Sequence, residues 1–288
     1  EAAQDYIDIE NISYLNNSQK ALTAYEKAIN LDPSNSDAWN LLGHIKKRLG
    51  NLDEAQHAYE QVLEHAGENK VYQAIAYGNL GIIYKTRGEL EKAEEYYLKA
   101  LDINKKLGRL EGMANQYGNL GVIYKTRGEL EKAEEYYLKA LDINKKLGSK
   151  EIMASQYGNL GNIYQTRGEL EKAEEYHFKA LDINKKLGRL EGMASNYGNL
   201  GIIYQIRGEL EKAEEYHLKS LDIEKKLGRL EGMASEYCNI GIIYQTRGEL
   251  EKACNYWQQS LNLFTNVGVQ DRIDLIAGWI TEECKEIE

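Results

Sequence analysis

What the chain lacks sets its first limits. No run of apolar residues approaches the length of a membrane span. The opening stretch EAAQDYIDIE holds no basic region followed by an apolar one, so the sequence predicts no signal peptide. Cysteine is scarce: Cys238, Cys254 and Cys284 are odd in number and confined to the C-terminal fifth. That pattern is not a disulfide framework, and a reducing, cytoplasmic setting is the simpler expectation. A basic excess is missing too. The net charge is −10, with −6 on residues 1–76, −5 on residues 249–288 and +1 on residues 77–248. A near-neutral middle offers no general phosphate-binding surface, so neither nucleic acid nor membrane is an expected partner. No G-x-G-x-x-G stretch or phosphate loop occurs, and no serine, cysteine and histidine set suggests a nucleophile with its base. The sequence therefore predicts no enzyme, no cofactor and no metal. At 42% hydrophobic and 28% charged it has enough apolar material for a core and too much for disorder.

What is present is repetition. YGNLGIIY at Tyr77–Tyr84 returns as YGNLGVIY at Tyr117, YGNLGNIY at Tyr157, YGNLGIIY at Tyr197 and YCNIGIIY at Tyr237, each forty residues after the last. Aligned small residues fall at Ala21, Ala55, Ala93, Ala133, Ala173, Ala213 and Ala253, with spacings of 34, 38, 40, 40, 40 and 40. Periods in this range belong to solenoids built from helix pairs. A glycine inside a helix costs roughly 0.5–1 kcal/mol relative to alanine, so the two glycines of most copies need a reason.

Each unit reads as two helices. The second is clearest in GELEKAEEYYLKALDINKKLG, from Gly88 to Gly108. Gly88 suits the left-handed turn that closes the preceding helix. Glu89 and Glu91 in the first turn and Lys105 and Lys106 in the last match the helix dipole. Glu95 and Lys99 make an i,i+4 pair of the favourable orientation. Leu90, Ala93, Tyr97, Ala100, Leu101 and Ile103 or Leu107 form the apolar stripe. The first helix, roughly Leu110 to Arg127 in the next unit, carries the glycine motif. Gly81 falls on the side that meets the second helix and allows close approach. Gly78 lies between faces, open to a neighbouring unit or to a ligand.

These residues resemble the tetratricopeptide repeat: Tyr77, Leu80-Gly81 and Tyr84 on the first helix, then Ala93, Tyr97 and Ala100 on the second. The unit from Trp39 follows the same pattern with Leu42, Gly43, Ala55 and Tyr59, although Lys46 and Val62 depart from it. The closing proline of the family pattern occurs only as Pro33. The forty-residue form is similar to the longer repeats of kinesin light chains and of Pins-type G-protein signalling modulators. The resemblance covers about residues 20–268. It implies an all-α fold, a right-handed superhelical solenoid of antiparallel helix pairs with a C-terminal capping helix. The expected divisions are an atypical or truncated first repeat at 1–34, repeats at 35–70, 71–110, 111–150, 151–190, 191–230 and 231–268, and a cap at 269–288. In the cap, Ile273, Ile276, Ala277, Ile280, Cys284 and Ile287 recur at helical spacing, to hide the last apolar face.

The second helix is nearly invariant between units, even at its charged positions, whereas the far face of the first helix varies. One column reads Ile75, Asn115, Ser155, Ser195, Ser235. A second reads Ile82, Val122, Asn162, Ile202, Ile242. A third reads Thr86, Thr126, Thr166, Ile206, Thr246, and a flanking one Lys85, Lys125, Gln165, Gln205, Gln245. Asn79, Asn119, Asn159, Asn199 and Asn239 never change. The resemblance implies that this face lines a concave groove. There asparagine suits a peptide backbone, the residues at 82, 122, 162, 202 and 242 face its side chains, and Lys85 and Lys125 favour an acidic segment. The sequence thus predicts a protein-interaction module, an adaptor or scaffold holding an extended or helical peptide. Two rival readings stand: self-assembly, with the N-terminal helix docked in another copy's groove, and a sensor region of a larger signalling protein. Blander readings of the columns also stand: the asparagines are copied between near-duplicate units, and the aliphatic residues pack against neighbours.

His177 and His217 replace Tyr97 and Tyr137 at a core position, and read as satisfied core histidines rather than a metal pair. His57 and His65 read as ordinary surface or semi-buried residues. Trp257 is expected in the core; Trp279 is either core of the cap or an exposed contact. The column Arg87, Arg127, Arg167, Arg207, Arg247 reads as helix termination with a carboxylate contact. The EKAEE runs read as solvated faces.

Overall fold

A computed structural model describes residues 18–284. The expected first helix before Ser18, and Ile287 of the cap, lie outside the described residues. Fourteen helices and no strands occur among the described residues. They fall into two compact units, the first ending at Leu147 and the second beginning at Gly148. The first holds α1 (Ser18–Leu31), α2 (Ser36–Arg48), α3 (Leu52–His65), α4 (Lys70–Thr86), α5 (Leu90–Lys106), α6 (Leu110–Thr126) and α7 (Leu130–Leu147). The second holds α8 (Lys150–Thr166), α9 (Leu170–Leu187), α10 (Leu190–Ile206), α11 (Leu210–Leu227), α12 (Leu230–Thr246), α13 (Leu250–Val267) and α14 (Gln270–Glu283). From α2 onward the helices alternate between leading (α2, α4, α6; α8, α10, α12) and trailing (α3, α5, α7; α9, α11, α13). Each trailing helix packs most extensively on its own leading helix. This is an all-α helical repeat solenoid.

The helix punctuation follows from the sequence. Gly88 adopts φ 79°, and its N–H and that of Glu89 return to the carbonyls of Lys85 and Tyr84 at 3.0 and 2.9 Å. This satisfies the carbonyls left over at the end of α4. Asn69 caps α4 by accepting from the N–H groups of Val71 and Tyr72. Glu89 begins α5 without a side-chain cap; its carboxylate bonds Lys92 instead, at 2.5 Å.

The Leu-Gly glycine has a definite reason. A Cβ on Gly81 would sit 2.5 Å from the Tyr97 ring, and one on Gly121 would sit 2.6 Å from the Tyr137 ring. The same position meets His177 at Gly161, His217 at Gly201 and Trp257 at Gly241. Each ring lies flat against the bare backbone of its leading helix and is itself fully buried. The second glycine serves the stack. The Gln116 amide of α6 lies 3.0 Å from where a Cβ of Gly78 would stand, and Glu236 Oε1 lies 2.7 Å from that of Gly198. In the last unit Cys238 takes this place, buried, its thiol pushed up to about 11 by burial.

The trailing stripe differs from the sequence reading at its C-terminal end. Leu107 is exposed, and Asn104 is buried in its stead. The Asn104 side chain donates to the Ala100 carbonyl at 2.9 Å and lies against the bare Cα of Gly112 on the next leading helix. The sequence pattern shows periodicity and not which end of the stripe is covered.

The arginine column braces one pair to the next. Arg127 and Tyr124 of α6 both bind Glu94 of α5. Arg207 and Tyr204 of α10 bind Glu174 of α9, and Arg247 and Tyr244 of α12 bind Glu214 of α11. Burial pushes the Glu94 carboxyl up, but the bonds from Tyr124 and Arg127 outweigh it and hold the group below its ordinary range. The lysines at positions 92, 99 and 106 and their equivalents pair with carboxylates three or four residues earlier, so the EKAEE run is solvated at Lys92 and Glu95, while its Glu94 is half-buried and turned to the next pair.

The cap packs as expected. Ile276 is fully buried, with Ile273 and Ile280 packed beside it. Trp279 belongs to the cap's core, half-buried with its ring 5.4 Å from that of Trp257. One expectation is corrected: Cys254 of α13 and Cys284 after α14 are joined in a disulfide. The odd count hid a bonded pair with one buried thiol left over, so the inference of a reducing compartment loses its basis.

Two measurements check this packing. Gly121→Ala is expected to lower the thermal midpoint, with about 1–3 kcal/mol of overpacking against the Tyr137 ring exceeding the helix-propensity gain. Gly278→Ala, in α14 with open space at its Cβ position, is expected to raise it by roughly 0.5–1 kcal/mol equivalent. His177 gives a pH signature. Burial depresses it to about 4 from the ordinary histidine value of about 6.5, so below pH 6.5 the unfolded chain binds a proton that the folded chain refuses. Stability is complete above about pH 6.5 and falls by up to about 3 kcal/mol on acidification to pH 4. His177→Tyr, which restores the residue type of Tyr97 and Tyr137, is expected to flatten the midpoint-versus-pH curve in that window.

Candidate functional site

The columns singled out in the sequence lie on the leading helices. Within each unit, successive leading helices touch directly, α2 with α4 and α4 with α6, then α8 with α10 and α10 with α12, whereas trailing helices make few contacts with one another. Within each unit the leading helices thus form one row and the trailing helices another, and the columns lie on the far face of the leading row.

The asparagine column is not uniform. Asn79 is buried, and its amide donates to Asn40 Oδ1 of α2 at 2.9 Å. It serves as a link between neighbouring leading helices. Asn119, Asn159, Asn199 and Asn239 are half-buried and have no such bond. The difference has a local cause: the unit from Trp39 carries Asn40 where the next four units carry glycine, at 78, 118, 158 and 198. Ile82, Val122, Asn162, Ile202 and Ile242 are all half-buried, each resting against its neighbours with one side open. Ile206 stands out at 57% exposed. Thr86, Thr126, Thr166 and Thr246 turn their hydroxyls to the carbonyl four residues earlier, at 2.8–2.9 Å, and offer little to a ligand. Gln245 is partly spent as well, donating to Glu283 of the cap at 3.3 Å. Lys85, Lys125, Gln165 and Gln205 are half-buried.

The structure adds one member that the sequence reading missed. Lys47 of α2 stands in line with Lys85, and its amine is pushed below the ordinary lysine range, first by burial and then by the charge of Lys85. Lys47 and Lys85 thus occupy equivalent positions on successive leading helices. Among the described residues Lys47, Lys85 and Lys125 have no carboxylate within salt-bridge distance, and the same holds for Lys105, Lys145, Lys185 and Lys225 on the trailing helices. The shift from 40 to 38 residues between these units hid the register. His44, one turn away, is held below its usual value by burial and then by Lys47.

The interior is polar where the units change most. His217 is fully buried with Nδ1 2.6 Å from Glu236 Oε2, while Ser220 donates to Glu236 Oε1 at 2.8 Å. His177 is equally buried, against Gly161. These side chains pack the helices together and have no access from solvent. Among the described residues no group of three histidine, cysteine or carboxylate side chains is placed to hold a metal. No described helix is long and apolar enough to cross a membrane.

Comparison with known proteins agrees with this architecture. The model of the MalT-like TPR region matches residues 41–197, more than half of the chain, and two tetratricopeptide repeat models match residues 192–266 and 24–57. The general transcriptional corepressor trfA of Dictyostelium discoideum is 30% identical over 87 residues, 30% of this chain and 6% of that protein. The corepressor ssn6 of Schizosaccharomyces pombe is 33% identical over 81 residues, 28% of this chain and 7% of that protein. The chain thus spans under a tenth of the length of these curated relatives. Among solved structures, a signal transduction ATPase with numerous domains from Pyrococcus horikoshii, which has a tetratricopeptide repeat sensor, superposes with a TM-score of 0.79 at 19% identity. That match covers 94% of this chain and 44% of that one. BtubC from P. vanneervenii superposes with a TM-score of 0.67 at 23% identity, covering 76% and 91%. With its glycine–ring contacts, helix pairs and capped end in place, the chain belongs to the tetratricopeptide repeat family, whose arrays generally serve as protein-interaction modules.

Proposed function

We propose that the far face of the leading helices is a wall that binds a peptide segment of a partner protein, extended or helical, and that the segment is acidic where it crosses the first unit. The observation that carries this is a row of unmatched charge. Lys47, Lys85 and Lys125 recur at one position of successive leading helices, are half-buried, and have no carboxylate within salt-bridge distance among the described residues. Ammonium groups repeated along a half-buried face gain from a carboxylate ligand. The amides of Asn119, Asn159, Asn199 and Asn239 offer both a donor and an acceptor to a peptide backbone. The half-open Ile82, Val122, Ile202 and Ile242 supply apolar contact beside them. Asn79 contributes alignment of α2 and α4 rather than a ligand bond. On this reading the chain is an adaptor or scaffold. The likeness to the Pyrococcus horikoshii protein supports a second reading, that the array is the sensor region of a longer signalling chain; the same wall would then receive the signal.

The test uses a peptide array of acidic, neutral and basic sequences probed with the full chain. Peptides with clustered glutamate or aspartate are expected to be retained, with binding that weakens as salt rises. Changing Asn119, Asn159 and Asn199 together to alanine is expected to weaken retained peptides roughly tenfold to a hundredfold, at about 1 kcal/mol per lost bond with incomplete additivity. Lys85→Glu with Lys125→Glu is expected to abolish the preference for acidic peptides. Unchanged affinity in both variants contradicts the proposed groove.

A further inference from the structure

The last joint of the second unit departs from a rule kept at four earlier joints. There, a tyrosine and an arginine at the end of a leading helix bind one polar side chain of the preceding trailing helix. That side chain is Gln56 for Tyr84 and Arg87, Glu94 for Tyr124 and Arg127, Glu174 for Tyr204 and Arg207, and Glu214 for Tyr244 and Arg247. In each glutamate joint the tyrosine stands 30 residues after its partner. Moved forward by one forty-residue period, the glutamate position becomes Cys254 and the tyrosine position becomes Cys284. These two are the disulfide-bonded pair, again 30 residues apart, joining α13 to the end of α14. In the sequence Ile287 stands at the arginine position. The cap has thus exchanged a hydrogen-bonded clamp for a covalent one that a thiol can open.

Beside that bond the cap is lightly held. α14 begins after Val269 without a side-chain cap and carries Gly278 in its interior, so its own helix tendency is low. It has no trailing helix of its own among the described residues and packs chiefly on α13. A polar tie to α12 runs from Gln245 to Glu283 at 3.3 Å. Its apolar side, with Ile273, Ile276, Trp279 and Ile280, shares one cluster with Trp257 and Phe264 of α13. Both bonded cysteines are half-buried, within reach of a thiol, whereas Cys238 of the same cluster is buried and its thiol is held above the ordinary range. We propose that Cys254–Cys284 is a redox modification site that latches the cap, with a dithiol as its co-reactant. A thiolate of the dithiol attacks one sulfur, the Cys254–Cys284 bond breaks, and a mixed disulfide forms. The second thiol of the reductant then closes its own disulfide. Two electrons and two protons pass to the cysteines, which end as thiols. The reduced joint has neither the covalent bond nor the clamp of the earlier joints, so α14 lifts from α13 and uncovers the apolar end of the second unit. This latch is independent of peptide binding on the leading helices.

The experiment compares amide hydrogen exchange, read by mass spectrometry, in the full chain oxidised with glutathione disulfide and then reduced with dithiothreitol. Maleimide labelling and peptide mapping report the thiols. The oxidised chain is expected to label at neither Cys254 nor Cys284, and the reduced chain at both. On reduction the α14 amides are expected to exchange roughly tenfold faster or more, while those of α8 to α11 stay protected. Cys254→Ser with Cys284→Ser is expected to exchange as the reduced chain does, with or without dithiothreitol. Cys254→Glu with Cys284→Tyr restores the side chains of the earlier joints. Its cap is expected to be slower than that of the serine variant and equally indifferent to dithiothreitol, and it keeps the test open if the serine variant does not fold. Labelling of both cysteines after oxidation, equal α14 exchange in the oxidised and reduced chains, or a dithiothreitol response retained in either variant each overturns the proposal.

Discussion

One contact organises this molecule: the flat side of an aromatic ring on a trailing helix against the bare Cα of a glycine on its leading helix. It brings the two backbones closer than any side chain permits, so it fixes depth, register and rotation together. A glycine in mid-helix sacrifices propensity, and the cost is offset only because burial of a whole ring contributes far more than the roughly 1 kcal/mol lost. Because the ring is fully enclosed, its chemistry is free to vary within a size limit, and Tyr97, Tyr137, His177, His217 and Trp257 all fill the same seat. The polar versions carry consequences. His217 is answered by Glu236, which Ser220 in turn holds, whereas burial holds His177 below its ordinary range.

Once that seat is set, the remaining faces are assigned by elimination. The second glycine admits a polar side chain from the next leading helix, which draws those helices together into one row. The tyrosine and arginine at the end of most leading helices reach back to a glutamate of the preceding trailing helix. Most outer lysines pair with carboxylates along their own helices. The far face of the leading helices is left with half-buried amides, half-buried aliphatic groups and a short row of ammonium groups. The surface proposed to bind is the part of the leading helix that the packing does not consume.

The fold was legible in the sequence because the period, the Leu-Gly pair and the Ala–aromatic–Ala triplet recur in register, and each has one packing role. The helix ends were legible from Gly88 and its equivalents for the same reason. The site was legible as a face and not as individual roles. Asn79 and Asn119 look identical in sequence, yet one bonds Asn40 and the other is free, a difference set by a residue on another helix. Lys47 was hidden by a two-residue change of spacing, and Asn104 by the assumption that a leucine at helical spacing outcompetes an amide for the interior. The cysteines misled because pairing depends on distance between helices, which a count does not contain.

The most direct test of the central contact is a double-mutant cycle on Gly81→Ala and Tyr97→Leu, read by equilibrium unfolding of the full chain. If the ring is what forbids a Cβ, the alanine is costly beside tyrosine and nearly free beside leucine, with a coupling of about 1 kcal/mol or more. Effects that add to within about 0.3 kcal/mol would mean that glycine and ring act independently, and the account of how the helix pairs are set would fail.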